Sequence, residues 1–248
     1  DSVAVVSPEG RAITYNEINQ KANQLAHYLR RKYNIAPGKV IGICIERSLE
    51  MIIAVLGVVK SGAAYLSFDP NYPKDRVQHM IEDSRTGLVI VDQSRPDLFD
   101  MNNEKEKGQV LLDIHQHWSA IGREPVENPN IENELGDAVY VIYTSGSTGT
   151  PNGAMLSHAL LSNLIQWQIK DTVIDCSLRC LQFTSINFCV SFQEIFAALS
   201  AGGEVQHGGN TAEGLQGEKC HHGHIGVGQQ EADALIPRDH RLKASAKH

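Results

Sequence analysis

The chain has 248 residues, of which 42% are hydrophobic, and its formal net charge at pH 7 is −7. This length and composition predict one or two compact hydrophobic cores, and the acidic balance excludes the basic surface that a nucleic-acid partner requires. The longest apolar stretch, residues 51–59, is too short to span a bilayer, so no membrane partner is expected.

The predicted elements alternate between strand and helix along the chain. Thr14 and Glu17 have the spacing of a capping box at the start of a first helix, and Ser48 is predicted to cap a second helix that runs to Lys60 and stops at Gly62. Apolar runs predict strands at residues 3–6, 12–15, 40–45, 64–68, 88–91, 110–114, 138–143 and 178–183. Further helices are predicted at residues 74–83, 157–170 and 191–200. This alternation predicts an α/β fold with a parallel β-sheet covered by helices on both faces.

Two polar segments rich in Asn, Glu and Pro, residues 93–109 and 122–136, interrupt the alternation. Their composition is typical of connections at a protein surface, and we expect them there.

Residues 144–153 read Thr-Ser-Gly-Ser-Thr-Gly-Thr-Pro-Asn-Gly and follow the predicted strand at 138–143. Glycines let the backbone approach an anion closely, while hydroxyl and backbone N–H groups donate hydrogen bonds to phosphate oxygens. A Gly/Ser/Thr run by itself is typical of a flexible loop, and this one lacks the Gly-Lys-Ser/Thr end of the common nucleotide loop. The order of strand, loop and then a helix from near Ser157 favours a phosphate-binding loop.

This order resembles the phosphate-binding loop of the adenylate-forming superfamily, which includes acyl-CoA synthetases, luciferases and the adenylation domains of nonribosomal peptide synthetases. The usual form is Thr-Ser-Gly-Ser/Thr-Thr-Gly-x-Pro-Lys-Gly, and Asn152 stands where the lysine is expected. The resemblance implies that the phosphates of ATP are bound by Thr144, Ser145, Gly146, Ser147, Thr148, Gly149 and Asn152.

Other stretches resemble the peptide synthetase branch more narrowly. The first is Ile-Thr-Tyr-Asn-Glu-Ile-Asn at residues 13–19, and the second is Val-Lys-Ser-Gly-Ala-Ala-Tyr-Leu-Ser-Phe-Asp-Pro at residues 59–70. Residues 72–76 and 80–84 continue the pattern. The resemblance covers residues 1–205, which are therefore predicted to be a partial adenylation domain, the incomplete large N-terminal domain of the adenylate-forming fold.

The family resemblance implies an ATP-dependent ligase that needs Mg²⁺ and converts an amino acid or another carboxylic acid to an acyl-AMP. The acyl group would then pass to the phosphopantetheine thiol of a carrier protein, so carrier-protein and condensation domains of a larger synthetase are the implied partners. The later motifs that contact adenine and ribose, and the small domain with a catalytic lysine, do not occur in this chain. No catalytic residue is therefore assigned, and the chain by itself is expected to be inactive.

A second stretch, residues 187–196, resembles the family pattern Phe-Asp-x-Ser, whose Asp pairs with the α-ammonium of the substrate. Cys189 stands in place of that Asp, and the resemblance implies that Phe188, Cys189, Val190 and Gln193 face the substrate. The alternative is that Cys189 is a small buried hydrophobic residue, as free cysteines often are. A thiol does not replace a carboxylate, because leaving a buried ammonium unpaired costs about 3–5 kcal/mol.

The resemblance stops at Gln206, and residues 206–248 contain six of the eleven histidines and seven glycines. The run Cys-His-His-Gly-His at residues 220–224 is compatible with a zinc or copper site. The alternative is an unrelated tail that is irregular or translated out of frame, because it holds too few apolar residues to offset the entropy of ordering. We favour the second interpretation and assign no metal ligand.

Two features indicate the setting of the chain. Its five cysteines are odd in number and scattered, which favours reduced thiols and a cytoplasmic protein. It begins with Asp1 rather than Met, so we expect it to be part of a longer polypeptide. The function hypotheses are a segment of a carboxylate-adenylating ligase, a non-catalytic remnant that binds nucleotides or anions weakly, and a segment of a stand-alone acyl or aminoacyl-carrier ligase.

Overall fold

The structure is a computed structural model, and it describes residues 2–92, 98–99, 109–145, 151–171 and 174–207. The strands in these ranges are β1 (Val3–Val6), β2 (Ala12–Thr14), β3 (Val40–Cys44), β4 (Ala64–Ser67), β5 (Leu88–Val91), β6 (Val110–Asp113), β7 (Ala138–Ser145), β8 (Pro151–Ser157), β9 (Arg179–Gln182) and β10 (Glu204–His207). The helices are α1 (Tyr15–Tyr33), α2 (Leu49–Lys60), α3 (Lys74–Ser84), α4 (Ile114–Ile121), α5 (His158–Asp171) and α6 (Cys189–Ala201).

The strands form two sheets. The larger has the order β6-β5-β3-β4-β7-β8, and all its neighbours are parallel except β7 and β8. The smaller has the order β2-β1-β10-β9, and only β2 runs antiparallel. The predicted α/β fold with parallel sheets is confirmed, with an antiparallel strand at one edge of each sheet.

Helices cover both faces of the larger sheet. Side chains alternate between the two faces of a strand. On β3, Ile41 and Ile43 belong to a buried cluster that includes α2, while Cys44 belongs to a second cluster with Val77 and Met80 of α3. The predicted covering of the sheet on both faces is thus confirmed.

Helix α2 is buried on every side, and Glu50 is the one residue of the helix that is only partly buried. The Oγ of Ser48 accepts a hydrogen bond from the backbone N of Met51 at 3.1 Å, so the predicted cap is present. A Cβ on Gly57 would lie 2.7 Å from Cδ2 of Leu25, so this glycine allows α1 to approach α2 closely. A helix that is apolar on all sides is typical of the core between layers.

Every predicted strand and helix on the described residues is present, with ends that differ by at most two residues. Three elements are not predicted by the sequence patterns. Helix α4 begins where Asp113 accepts hydrogen bonds from the backbone N of His115 and Gln116 at 2.9 and 3.0 Å, whereas the apolar run places residue 114 in a strand. Strand β8 begins at a proline and has no alternating pattern, so only its pairing with β7 makes it a strand.

Strand β10 is the third unpredicted element. It extends through Gln206 and His207, which pair with Leu181 and Gln182 of β9. The expectation that residues 206–248 are irregular is therefore wrong for these two residues, because pairing to β9 and β1 orders them. Residues 208–248, including the possible metal ligands at 220–224, lie outside the described residues, and the domain boundary after residue 205 stays a prediction.

The polar segment 122–136 crosses α1 and α2 and is bound by their side chains. Asn23 Nδ2 donates to the carbonyl oxygen of Val126 at 2.7 Å, and His27 Nε2 lies 3.1 Å from that of Glu127. Arg31 forms an ion pair with Glu124. Residues 23, 27 and 31 share one face of α1 because four residues are close to one helical turn.

All helices in the described part of the chain are too short or too polar to cross a membrane.

Lys60 provides a test of this packing. It is 5% exposed, its Nζ donates to Asn128 Oδ1 at 2.8 Å, and burial lowers its pKa from 10.5 to about 7. Between pH 7 and pH 10.5, Lys60 is protonated in the unfolded chain and deprotonated in the folded chain. The free energy of unfolding should therefore rise with pH by up to about 1.4 kcal/mol per pH unit. Lys60→Met should remove the contribution of Lys60 to this rise in the free energy of unfolding.

The measurement is denaturant unfolding at a series of pH values from 7 to 9.5, for the wild type and the variant. Lys39→Met changes an exposed lysine and is the matched control. If Lys39→Met flattens the pH profile as much as Lys60→Met does, burial of Lys60 is not the cause.

Candidate functional site

The described ends of the predicted phosphate-binding segment lie on the paired strands β7 and β8. Thr144 is the cross-strand partner of Asn152, and both are exposed. Ser145, the last residue of β7, pairs with Pro151. The structure therefore brings both ends of the predicted loop together, while Gly146, Ser147, Thr148, Gly149 and the side chain of Ser145 lie outside the described residues.

The expected order of strand, loop and helix is wrong in one respect. The loop connects two antiparallel strands, and α5 begins only at His158, after β8. The amide groups at the start of α5 therefore do not directly follow the loop in sequence.

Helix α3 contacts both strands of the β7–β8 hairpin. The hydroxyl of Tyr143 donates to Asp83 Oδ2 at 2.5 Å, and His79 Nε2 lies 3.2 Å from the carbonyl oxygen of Pro151. Burial and the contact with Asp83 raise the pKa of Tyr143, so its hydroxyl stays a donor. Gly153 faces the Tyr143 ring across the strands, and a Cβ there would lie only 2.9 Å from the ring.

The predicted substrate-side residues lie at the start of α6. Phe188 is its N-cap with extended backbone and no side-chain cap, and Cys189 is its first helical residue. Phe188 and Val190 are 61% and 46% exposed, and Cys189 is also exposed. The alternative of a buried structural Cys189 is therefore wrong. Gln193 is partly buried, and its Oε1 accepts from Gln168 Nε2 at 3.2 Å.

A stack of aromatic rings attaches α6 to the larger sheet. Tyr140 of β7 stacks on Tyr65 of β4 at 5.6 Å and on Phe192 of α6 at 5.2 Å, measured between ring centroids. Phe192 in turn stacks on Phe196 at 4.1 Å. Burial, with Cys189 nearby, raises the pKa of Tyr140 to about 12. Strand β7 thus carries both the predicted phosphate loop and the contact that seats the predicted substrate-side helix.

A cavity of about 430 Å³ lies at the carboxyl ends of β3 and β4. The chain passes from β3 through α2 to β4, and then through α3 to β5 on the other side of β3. Such a reversal of strand order opens a crevice in which α/β proteins bind ligands. Its lining combines residues that follow these strands with residues from two other loops, namely Pro8, Glu9, Ile45, Glu46, Arg47, Met51, Phe68, Asp69, Pro70, Asn71, Ser185, Ile186 and Asn187.

Sequence reasoning missed this cavity because strand order is set by long-range pairing. The acidic residues that line the cavity are Glu9, Glu46 and Asp69. Within the described ranges, however, no group of three or more His, Cys, Asp and Glu side chains could hold a metal ion.

Comparison with known proteins identifies relatives of the whole described region. Residues 1–220 match the model of the family described as AMP-binding enzyme. A linear gramicidin synthase protein of Brevibacillus parabrevis is 42% identical over 203 residues, which are 82% of this chain and 2% of that protein. Zwittermicin A synthase ZmaJ of Bacillus cereus is 38% identical over 205 residues, which are 83% of this chain and 37% of that protein. The chain thus spans well under half the length of these relatives.

Solved structures have the same fold. The nonribosomal peptide synthetase FmoA3 superposes with a TM-score of 0.74 at 26% identity, over 84% of this chain and 21% of that one. Two further crystal structures of FmoA3 that match are described as bound to AMPPNP and to α-methyl-L-serine-AMP. The N-terminal subdomain of Klebsiella oxytoca NpsA superposes with a TM-score of 0.71 at 24% identity, over 87% of this chain and 52% of that one.

Gly153→Ala tests the support of the hairpin. The added Cβ would meet the Tyr143 ring at 2.9 Å, so the ring must shift, and its hydroxyl, which donates to Asp83, shifts with it. We expect a loss of about 1–3 kcal/mol of unfolding free energy, as is usual for overpacking. Denaturant unfolding measures the loss, and Gly136→Ala is the control, because a Cβ there meets nothing within 4 Å.

The same substitution in a Tyr143→Phe background separates the causes. If movement of the hydroxyl matters, Gly153→Ala should cost less in that background. An equal cost in both backgrounds would show that the hydrogen bond to Asp83 plays no part.

Proposed function

Because the chain belongs to the AMP-binding enzyme family, in the branch of the nonribosomal peptide synthetase adenylation domains, we propose that its two sites serve ATP-dependent activation of a carboxylic acid. The acid would be an amino acid or a related compound. One observation supports this most: β7 ends at the predicted phosphate loop and, through Tyr140 and Phe192, seats the helix predicted to face the acid. A reaction between an acid and a triphosphate requires such fixed placement of two sites.

The proposed chemistry is attack of a carboxylate oxygen on the α-phosphorus of ATP. The bond between the α-phosphorus and the bridging oxygen breaks, and acyl-AMP and pyrophosphate form. Charge develops on the phosphate oxygens, so loop donors that include Thr144 would stabilise the transition state. Asn152 adds an amide donor without positive charge, so phosphate binding should be weaker than with lysine at this position.

Mg²⁺ would neutralise phosphate charge when bound with ATP. Magnesium is usually held by one or two carboxylates together with phosphates, which agrees with the lack of a three-ligand cluster in the described part of the chain. The acyl group would then pass to the phosphopantetheine thiol of a carrier domain, with AMP as the leaving group. Carrier-protein and condensation domains are therefore the proposed partners.

Cys189 bears on which acid is activated. It is the first residue of α6 and is exposed beside the exposed Phe188 and Val190. A neutral thiol does not pair with an ammonium group as a carboxylate does. The proposed substrates are therefore acids without an α-ammonium, or acids whose ammonium is held by another group.

The test uses a hybrid protein in which the aligned part of this chain, 205 residues, replaces its counterpart in zwittermicin A synthase ZmaJ. We expect the hybrid to exchange labelled pyrophosphate into ATP in the presence of some members of a panel of carboxylic acids. The unmodified synthase is the control for assembly. A hybrid that is folded, binds ATP and gives no exchange with any acid would contradict the proposal.

A second candidate function is a non-catalytic remnant that binds nucleotides or anions weakly. Asn152 and Cys189 favour it, because each replaces a charged residue of the family pattern with a neutral one. Under the remnant hypothesis, the hybrid protein binds ATP with an affinity that no carboxylic acid changes. It also requires that a folded hybrid without exchange gains acid-dependent exchange when Asn152→Lys and Cys189→Asp are combined.

Cys189→Asp in the hybrid tests the role of Cys189. The first turn of α6 contains no acidic residue, and negative charge near a helix N-terminus stabilises by about 0.3–1 kcal/mol, so the fold should tolerate the change. We expect exchange with ordinary α-amino acids to increase. Cys189→Asn has similar shape without charge and is the matched control, and an equal increase with Asn would exclude pairing with the ammonium as the cause.

A further inference from the structure

The segment between β9 and α6, residues 183–188, is held by elements that are distant in sequence. Arg47, between β3 and α2, donates a hydrogen bond to the carbonyl oxygen of Phe183. The Oγ of Ser67, at the end of β4, donates to the carbonyl oxygen of Ile186 at 3.0 Å. These contacts fix the backbone of the segment against the larger sheet.

Glu194 of α6 also binds this segment. Its Oε2 accepts from the backbone N of Thr184 at 3.1 Å, and its Oε1 accepts from the Thr184 hydroxyl at 2.6 Å. Gln182 Nε2 lies 3.4 Å from Oε2 and donates to the carbonyl oxygen of Thr184 as well. Side chains on a helix lean toward its N-terminus, which is why Glu194 reaches back to the segment.

The hydrogen bonds between Thr184 and Glu194 close a loop of the chain, and this loop contains the first residues of α6. Phe188, Cys189, Val190 and Gln193 all lie between its two ends. The N-cap position itself has no side-chain hydrogen bond to the first turn. Hydrogen bonds to a carboxylate are stronger than those between neutral groups, so this contact is well suited to hold the turn.

We propose that Glu194 is a positioning residue, which binds Thr184 and thereby fixes the turn that presents residues 188–193 to the carboxylic acid. This rests on the proposed function for the identity of the acid. Glu194 acts through the turn and touches no reacting atom. Removing the Glu194 carboxylate should loosen residues 183–193 and weaken binding of the acid, while the β7–β8 hairpin stays in place.

The first experiment measures amide hydrogen exchange of the complete 248-residue chain by peptide mass spectrometry. Glu194→Gln keeps the size of the side chain and removes its charge, and Thr184→Val removes the hydroxyl donor. Both should make amides of residues 183–193 exchange about tenfold faster or more, which is the effect of losing a hydrogen bond to a charged group. Peptides covering β3 and β5 should keep their exchange rates.

Thr184→Ser keeps the hydroxyl and is the matched control, so exchange in residues 183–193 should stay close to that of the wild type. Unchanged exchange in both Glu194→Gln and Thr184→Val would overturn the inference. So would faster exchange in Thr184→Ser that equals that of Thr184→Val. If β3 and β5 also exchange faster, Glu194 supports the whole fold rather than the turn, and the inference is wrong.

The second experiment measures the acid and ATP dependence of pyrophosphate exchange in the hybrid protein. Glu194→Gln should raise KM for the acid and leave KM for ATP unchanged, whereas a general loss of folding would lower the active fraction for both. A hybrid without acid-dependent exchange contradicts the proposed function. An active hybrid whose KM for the acid does not respond to Glu194→Gln contradicts this inference alone.

Discussion

The architecture depends on the burial of α2 in the apolar core that the two sheets share. One continuous cluster of buried side chains joins this helix to Ile41 and Tyr65 of the larger sheet and to Val5 and Val205 of the smaller one. Full burial of a side chain such as Val, Leu, Ile or Met contributes about 1.5–3 kcal/mol. A helix that buries residues on all sides therefore contributes strongly to the core that both sheets share, and loops that follow strands of both sheets line one cavity.

The meeting of those loops creates the candidate site. The two sheets share this core, and the segment that follows β9 lies close enough for Arg47 and Ser67 to bind its backbone. Helix α6 then stacks through Phe192 on Tyr140 of the larger sheet. The hairpin that carries the predicted phosphate-binding residues and the helix predicted to face the acid are thus joined through β7, although each belongs to a different part of the chain.

Hydrogen bonds of polar side chains add to the apolar packing. The segment 122–136 contributes backbone carbonyl groups that side chains of α1 bind, and Asn128 binds the amine of the buried Lys60. Near the hairpin, Asp83 binds the hydroxyl of Tyr143. Buried polar groups need such partners because an unmade hydrogen bond costs more than a made one contributes.

The sequence by itself determined the helices and most strands, because caps, apolar faces and strand runs are local patterns. The capping box of Thr14 and Glu17 is present as expected, with Glu17 Oε2 3.0 Å from the backbone N of Thr14. The family and the residue types of both candidate sites could also be predicted, since their motifs are continuous in sequence.

Only the tertiary structure decided the order of the strands, the pairing of β8 with β7, and the contacts of Glu194, Arg47 and Ser67 with residues 183–188. Strand β8 has no alternating pattern, and β10 continues past the end of the recognisable motif, so both form because a neighbouring strand offers its hydrogen-bonding groups. Those contacts join residues far apart in the chain, and no local periodicity records them.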